Sequence, residues 1–491
     1  MNEKPINILI AASEAAPLVK VGGLGDVVGS LSPALRDLGC RVSVVMPAYR
    51  EALAKLGDYR VTAKNVPVTL GGQRLDMDLL VGALADGVGL CLIKQDEFFD
   101  RPGVYGDERG EYTDNPRRFV FFSRSIPAMC RAVGFQPDVI LANDWHTGLV
   151  PALLDEGALP RTAGVFAIHN MGYLGLLPPN QTGLIGLPDR YYGMHGMEYY
   201  GQMSLLKAGI VYAQAVTTVS PTYAAEIQTP DFGAGLDGLM RSVKNRLFGI
   251  LNGVDYRVWN PATDQHLDTN YSPDDLTGKQ ACKQDLLKIV GLPKGLMQQP
   301  LVGMVTRLVS QKGCDLVVEA ADELFELGLG LILLGTGDET YHKVFQALQA
   351  QHPDRFGLRL DFDPALAHKV IAGCDMFLLP SLYEPCGLTQ MFCLKYGTIP
   401  IVRATGGLED TILDPDQGDF PGTGFKFKRY GALDMVRAVR RAVQTFRDRT
   451  VWRAMMLAAM AQDFSWHRSA EAYLAVFDKA MATRRAGGHD G

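Results

Sequence analysis

An α/β protein of two doubly wound, Rossmann-like domains is predicted by three features of this chain. Short apolar runs of strand length alternate with longer amphipathic segments, and Gly, Asn, Asp or Pro bounds each run, the signature of repeated βαβ units. The array appears once in the first half and restarts in the second. A length of 491 residues exceeds the reach of one ordinary core and suits about two or three domains.

In the first half, strands are predicted at INILIAAS (6–13), RVSVVMP (41–47), DVILAND (138–144), GVFAIHN (164–170) and AVTTVS (215–220). Each is apolar along nearly its whole length, as in a parallel sheet covered on both faces. Between the first two, KVGGLGDVVGSLSPAL (20–35) opens a helix from a glycine loop. The second array comprises PLVGMVTR (300–307), GLILLGTG (330–337), MFLLPS (376–381) and TIPIVRAT (398–405). The turn-rich stretch around Asn252–Asp275 reads as the hinge, giving domains at 1–255 and 256–463. A helix and tail fill 464–491; the helix suits either domain, with a return to the first as one option, and AGGHDG at the end is expected to be disordered.

With 47% hydrophobic and 21% charged residues the composition is that of a globular protein. A net charge of −6 gives no general pull toward nucleic acid or an anionic membrane. The N-terminal stretch lacks the basic flank and unbroken apolar core of a signal peptide, and no run reaches the length of a membrane span. The eight cysteines are scattered, with no zinc-like spacing, and read as reduced thiols in a cytoplasmic protein.

Ligands of open parallel sheets sit beyond the carboxyl ends of strands. Unusual polar residues collect there in both halves. The loop at Lys20, Gly22 and Gly23 offers N–H groups at a helix start beside a long cation, which suits a phosphate. Its glycine spacing, G-x-G-x-x-x-G, departs from a dinucleotide fingerprint, and no acidic residue ends the second strand to hold a ribose. Asp144, Trp145 and His146 follow one strand, and His169 and Asn170 the next, a mixture suited to a hydroxyl-rich ligand. In the second half Arg307 and Lys312 suit a diphosphate, as fork and point charge. SLYEPCGLTQ places Glu384 at a strand-to-helix corner shaped by Pro385 and Gly387; the plain alternative is a solvated charge near a helix start. Three D-x-D triplets, Asp76/Asp78, Asp361/Asp363 and Asp414/Asp416, are within chance for 54 acidic residues, and neither metal nor cofactor is expected.

Taken in order, KVGGLGDVVGSL, NDWHTG, HNMGYLG, the long block from YYGQMSLLKAG to GAGLDGL, GILNGVDYRVWNPATD, TRLVSQKG, SLYEPCGLTQM and TGGLEDT resemble the bacterial glycogen synthases and plant starch synthases over about residues 5–480. The resemblance implies a GT-B fold and transfer of glucose from ADP-glucose to the non-reducing 4-hydroxyl of glycogen or another α-1,4-glucan, with retention and without metal. It implies catalytic roles for Glu384, Lys312, Arg307 and His169. The nucleotide sugar would meet Lys20, Gly22, Gly23, Arg307, Lys312, Phe362, Gly387, Leu388 and Thr389, and the glucose and acceptor would meet Asp144, His169, Asn170 and Tyr105. Val21 and Gly25 depart from the usual K-T-G-G-L-A-D-V, and Phe362 stands where the family often has tyrosine, leaving UDP-glucose open as donor. Related retaining enzymes often carry a second glutamate eight positions after the first; here that place is Phe392. Two other readings remain: a catalytically silent glucan- or nucleotide-binding regulator on this fold, and a nucleotide-sugar epimerase of GT-B type.

Overall fold

The computed structural model describes residues 4–418 and 420–487, so residues 488–491 of the expected disordered tail lie outside it. The chain forms two compact units, one running through Gly253 and including the helix from Trp466, the other Val254–Ser465.

The first unit is built on β1 (Asn7–Ala11), β2 (Arg41–Pro47), β3 (Arg60–Leu70), β4 (Gln73–Ala85), β5 (Val88–Lys94), β6 (Val139–Asn143), β7 (Ala163–Ile168), β8 (Ala215–Thr218) and β9 (Leu247–Gly249). These form one sheet in the order β9-β8-β7-β6-β1-β2-β5-β4-β3. From β9 to β5 every neighbour is parallel. β6, β7 and β8 are buried along their whole length, which is why they read as unbroken apolar runs. β4 and β3 then extend the sheet antiparallel through a two-residue turn at Gly71 and Gly72, both at positive φ (58° and 78°). Much of this hairpin faces solvent, and its one apolar run, LLVGALA at 79–85 in β4, is interrupted by Gly82 and an exposed Ala83.

The second unit holds β10 (Leu301–Val305), β11 (Gly330–Leu334), β12 (Phe356–Arg359), β13 (Met376–Leu379), β14 (Ile399–Arg403) and β15 (Phe425–Phe427), all parallel in the order β12-β11-β10-β13-β14-β15. Alternate strand residues feed opposite layers: Val302, Met304 and Leu333 face one core, Leu301, Ile332 and Leu334 the other.

The stretch expected to be a hinge is, from Val254 on, tied to the second unit. Asp264 accepts from the Tyr396 hydroxyl (2.6 Å) and pairs with His368 Nδ1 (2.8 Å). The Trp259 ring lies between His368 (3.7 Å, 6°) and Phe392 (4.0 Å, 4°). Phe392 is therefore a packing residue. The helix Trp466–Gly487 returns to the first unit, where it buries Trp466, Tyr473, Val476 and Phe477 against helix Gly23–Asp37 and strands β6–β8. No helix among the described residues is long and apolar enough to cross a membrane.

Each sheet has one point where strand order reverses: between β1 and β6, and between β10 and β13. Such switch points open crevices at the carboxyl ends of their strands.

Candidate active site

At the first switch point, β1 leads through Ser13 and Glu14 to the lysine–glycine loop and the helix Gly23–Asp37. Glu14 is 4% exposed, and its Oε2 accepts the N–H groups of Val21 (2.6 Å) and Gly22 (2.8 Å). The Tyr105 hydroxyl donates to its Oε1 (2.6 Å) and lies 2.7 Å from Ser13 Oγ. The N–H groups at 21 and 22 are thus used inside the protein, and the helix start offers those from Gly23 onward. Lys20 pairs with Asp26 at 2.9 Å, but more than half of its side chain is exposed, so the pair is weak and exchangeable.

The loop's glycines divide by cause. A Cβ on Gly25 would lie 2.9 Å from Val19 O, and one on Gly29 2.6 Å from Ala16 O, so these serve packing. A Cβ on Gly22 or Gly23 would meet nothing within 4 Å, and Gly22 sits at φ −139°, open to any residue. Their bare backbone leaves space at an exposed helix start.

Asp144, just past β6, sits at φ 53° and ψ −178°, a conformation natural to glycine that costs about 1–3 kcal/mol elsewhere. Its Oδ1 accepts the His169 N–H at 2.8 Å. Burial raises its carboxyl to about 7, with the N–H groups of His169 and Asn170 opposing and the Glu14 charge adding. His169 Nε2 lies 2.9 Å from Asn143 Oδ1. Asn143 Nδ2 already donates to Ala11 O and Leu141 O, so Oδ1 accepts and His169 carries its proton on Nε2. Burial lowers His169 to about 4, leaving a neutral ring with Nδ1 bare. Asn170 Oδ1 accepts the Gly172 N–H (2.9 Å). Trp145 and His146 serve packing: His146 stacks on Tyr105 (4.9 Å), and Trp145 meets Phe119 edge-on (5.1 Å).

At the second switch point, β10 leads to Arg307 and a tight turn, Ser310–Lys312, and β13 leads to Ser381 and Glu384. Gly313, at φ 73°, lets that turn press against Pro380, where a Cβ would collide with the Pro380 carbonyl. The two loops are joined by Leu382 N–H to Gln311 O (2.8 Å) and Gln311 Nε2 to Tyr383 O (3.3 Å). Lys312 Nζ consequently reaches Glu384 Oε2 at 2.6 Å, and Ser381 Oγ donates to the same oxygen at 3.1 Å. Lys312 reads from the sequence as a catalytic and diphosphate-binding cation, with no pairing to Glu384. An ammonium keeps two further donors. Arg307 is exposed and has no ion pair or side-chain hydrogen bond among the described residues.

The glycines of TGGLEDT serve packing. Gly406 (φ 46°) and Gly407 press onto the Glu384 and Cys386 carbonyls, where a Cβ on either would collide with backbone. The Gly407 N–H is spent on Glu384 O (3.3 Å) and Pro385 O (3.1 Å). Gly387 takes φ 68° at the corner, and Leu388 leads into the helix that Thr389 begins. Phe362 is 80% exposed, in the loop between β12 and helix Pro364–Gly373.

The D-x-D carboxylates have other partners: Asp76 pairs with Arg74, Asp78 accepts Asn65 N–H, Asp363 caps Leu366, and Asp414 holds Arg441. Among the described residues no group of three or more potential metal ligands occurs. Sequence reasoning missed Glu14, whose signal was its position: it is the only charge between Lys4 and Lys20.

Comparison with known proteins matches the starch synthase catalytic domain to residues 7–242 and the group 1 glycosyl transferases to residues 294–453. The glycogen synthase of Desulfatibacillum aliphaticivorans is 48% identical over 98% of this chain and 100% of its own length. That of Syntrophotalea carbinolica is 44% identical over 98% and 100%. The catalytic domain of starch synthase IV from Arabidopsis thaliana, solved bound to ADP and acarbose, superposes with a TM-score of 0.89 at 33% identity, covering 98% of this chain and 100% of that one. With two doubly wound units and full-length similarity of this order, the chain belongs to the glycogen and starch synthase family of glycosyltransferases, with the GT-B fold.

Proposed function

We propose that the chain transfers glucose from ADP-glucose to the non-reducing 4-hydroxyl of an α-1,4-glucan with retention, in the cytoplasm. The observation that carries this reading is the Lys312–Glu384 pair at 2.6 Å, held at a strand-end switch point in the same loops as the unpartnered Arg307. Glu384 accepts hydrogen bonds from donor hydroxyls and offsets positive charge building on the anomeric carbon. Lys312 neutralises Glu384 with one proton and turns the others, with Arg307, to the departing diphosphate; such electrostatic terms are worth about 3 kcal/mol each. In the first unit, Lys20 and the N–H groups from Gly23 onward suit an anionic donor, and Gly22 leaves room beside them. Asp144, His169, Asn170 and Tyr105 belong to the glucose and acceptor side, and Gly387, Leu388, Thr389 and Phe362 to the nucleotide side. ADP in the starch synthase IV structure supports an adenine nucleotide, and acarbose there supports a glucan acceptor. The eight free cysteines suit a reducing compartment.

The test is purified protein with glycogen and either ADP-glucose or UDP-glucose, following nucleotide release and polymer growth, with and without EDTA. Growth is expected with ADP-glucose and is expected to survive chelation. Nucleotide release without polymer growth would replace this reading with that of an epimerase or hydrolase, and no release at all with that of a silent binder.

A further inference from the structure

Glu14 raises a question the transfer chemistry leaves open. A carboxylate 4% exposed is costly unless its charge is matched. No lysine or arginine of the described residues lies within ion-pair distance of it; it is matched by two backbone N–H groups and one phenol. Of the buried cations of this unit, Arg118 turns instead to Phe98 O (2.7 Å), Val104 O (2.9 Å) and Asn115 Oδ1 (2.6 Å), and Lys207 to Met194 O (2.7 Å) and Glu198 O (2.6 Å). All the hydrogen bonding of Glu14 is thus spent on one backbone turn and on Tyr105.

We propose that Glu14 is the positioning residue of the lysine–glycine loop: its carboxylate turns the Val21 and Gly22 N–H groups inward, so that Lys20 and the N–H groups from Gly23 onward are the ones presented to an anionic donor. This rests on reading that loop as the donor contact. Without the carboxylate, two adjacent N–H groups on an exposed segment lose their fixed partner, and the loop must be ordered anew each time a donor binds. Tyr105 completes the anchor, because Ser13 Oγ fixes its hydroxyl from the other side (2.7 Å).

The test compares Glu14→Ala, Glu14→Gln and Tyr105→Phe by donor KM, turnover, thermal unfolding and amide exchange of the peptide spanning residues 17–25. Glu14→Ala is expected to raise the donor KM about tenfold, with turnover and acceptor KM changed much less, and to speed exchange at Val21 and Gly22. Glu14→Gln keeps an oxygen for both N–H groups, and Tyr105 can accept from its amide while donating to Ser13, so donor KM should stay within about threefold of the wild type. Tyr105→Phe should raise donor KM about two- to fivefold. Wild-type donor KM and exchange in Glu14→Ala would overturn the proposal, as would Glu14→Gln behaving like Glu14→Ala, or Tyr105→Phe shifting the acceptor KM alone. If Glu14→Ala fails to fold, the other two variants decide by the same criteria. Lys20→Ala, measured alongside, separates the two levels: normal kinetics there would remove the donor role of the loop, while faster exchange in Glu14→Ala would still show the anchor.

Discussion

The chain spells one pattern twice, GGLGD at 22–26 and GGLED at 406–410, and each time a helix begins on it. The two loops have opposite physical reasons for their glycines. In the first unit, side chains on Gly22 and Gly23 would meet nothing of the protein. In the second, side chains on Gly406 and Gly407 would run into the Glu384 and Cys386 carbonyls. Each loop also attends a buried or half-buried carboxylate, the first through N–H groups on the Glu14 side chain, the second through its packing on the Glu384 backbone. A glycine required by an internal neighbour and one required by an absent neighbour look identical in sequence. They part when a methyl group is added: in one loop the cost falls on folding, in the other on ligand affinity.

The largest effect should come from Gly407→Ala. Its methyl group meets backbone that can yield only by moving the Glu384–Cys386 corner, so we expect a stability loss of about 3 kcal/mol and a fall in turnover on the order of 10² or more. Denaturant titration and steady-state kinetics measure both; a stable, active variant would erase the contrast between the loops. Next in size is Glu384→Gln, which spares the packing and removes the charge. Turnover should fall on the order of 10² while stability changes by about 1 kcal/mol or less, and the bland reading of Glu384 as a helix-end charge forecasts normal turnover instead. Gly23→Ala should leave unfolding unchanged or raise stability by up to about 1 kcal/mol, since alanine suits a first helical turn better, while donor KM rises about tenfold. Loss of stability there would mean that the first loop, too, is glycine for packing.

The smallest effect concerns pH and belongs to the first unit. Asp144 is raised from its ordinary 3.8 to about 7, so the stability its protonated form contributes is full below 3.8 and is lost as pH rises through about 7. His169 is lowered from 6.5 to about 4, so its contribution is full above 6.5 and is lost as pH falls through about 4. The two slopes oppose each other and hide one another in the wild type. In Asp144→Asn the first disappears, and stability relative to wild type should rise on the order of 1 kcal/mol between pH 4 and pH 7, a modest value because Asp144 keeps part of its surface in solvent. A parallel pair of pH–stability curves would show that Asp144 titrates normally.

What could be read from the letters followed burial on two faces. β1, β2, β6, β7 and β8 are interior strands, and their apolar runs announced them. β12 and β15 are short edge strands with Arg359 or Lys426 in them, β3 keeps a face in water, and the apolar run of β4, Leu79–Ala85, is broken by Gly82 and an exposed Ala83. The strand ends bearing Asp144, His169 and Glu384 were legible for the same reason as the strands they follow. Partnerships were not. Lys312 meets Glu384 across 72 positions because Gly313 can press on Pro380, and Glu14 meets Tyr105 across 91; neither contact has a local signature.

The last helix has a consequence for how this protein is made. Residues Trp466–Gly487 cover helix Gly23–Asp37 and strands β6–β8, held by Ser469 Oγ to Leu251 O (2.7 Å) and Arg484 Nη2 to Leu154 O (2.8 Å). During synthesis from the N-terminus, the first unit must wait, with that apolar flank uncovered, until all of Val254–Ser465 has been translated. The second unit is contiguous and can close on itself while the first is still unfinished. The ribosome therefore releases a chain whose earliest residues are the last to be sealed, and the interval between them is when a chaperone would find the most surface to hold.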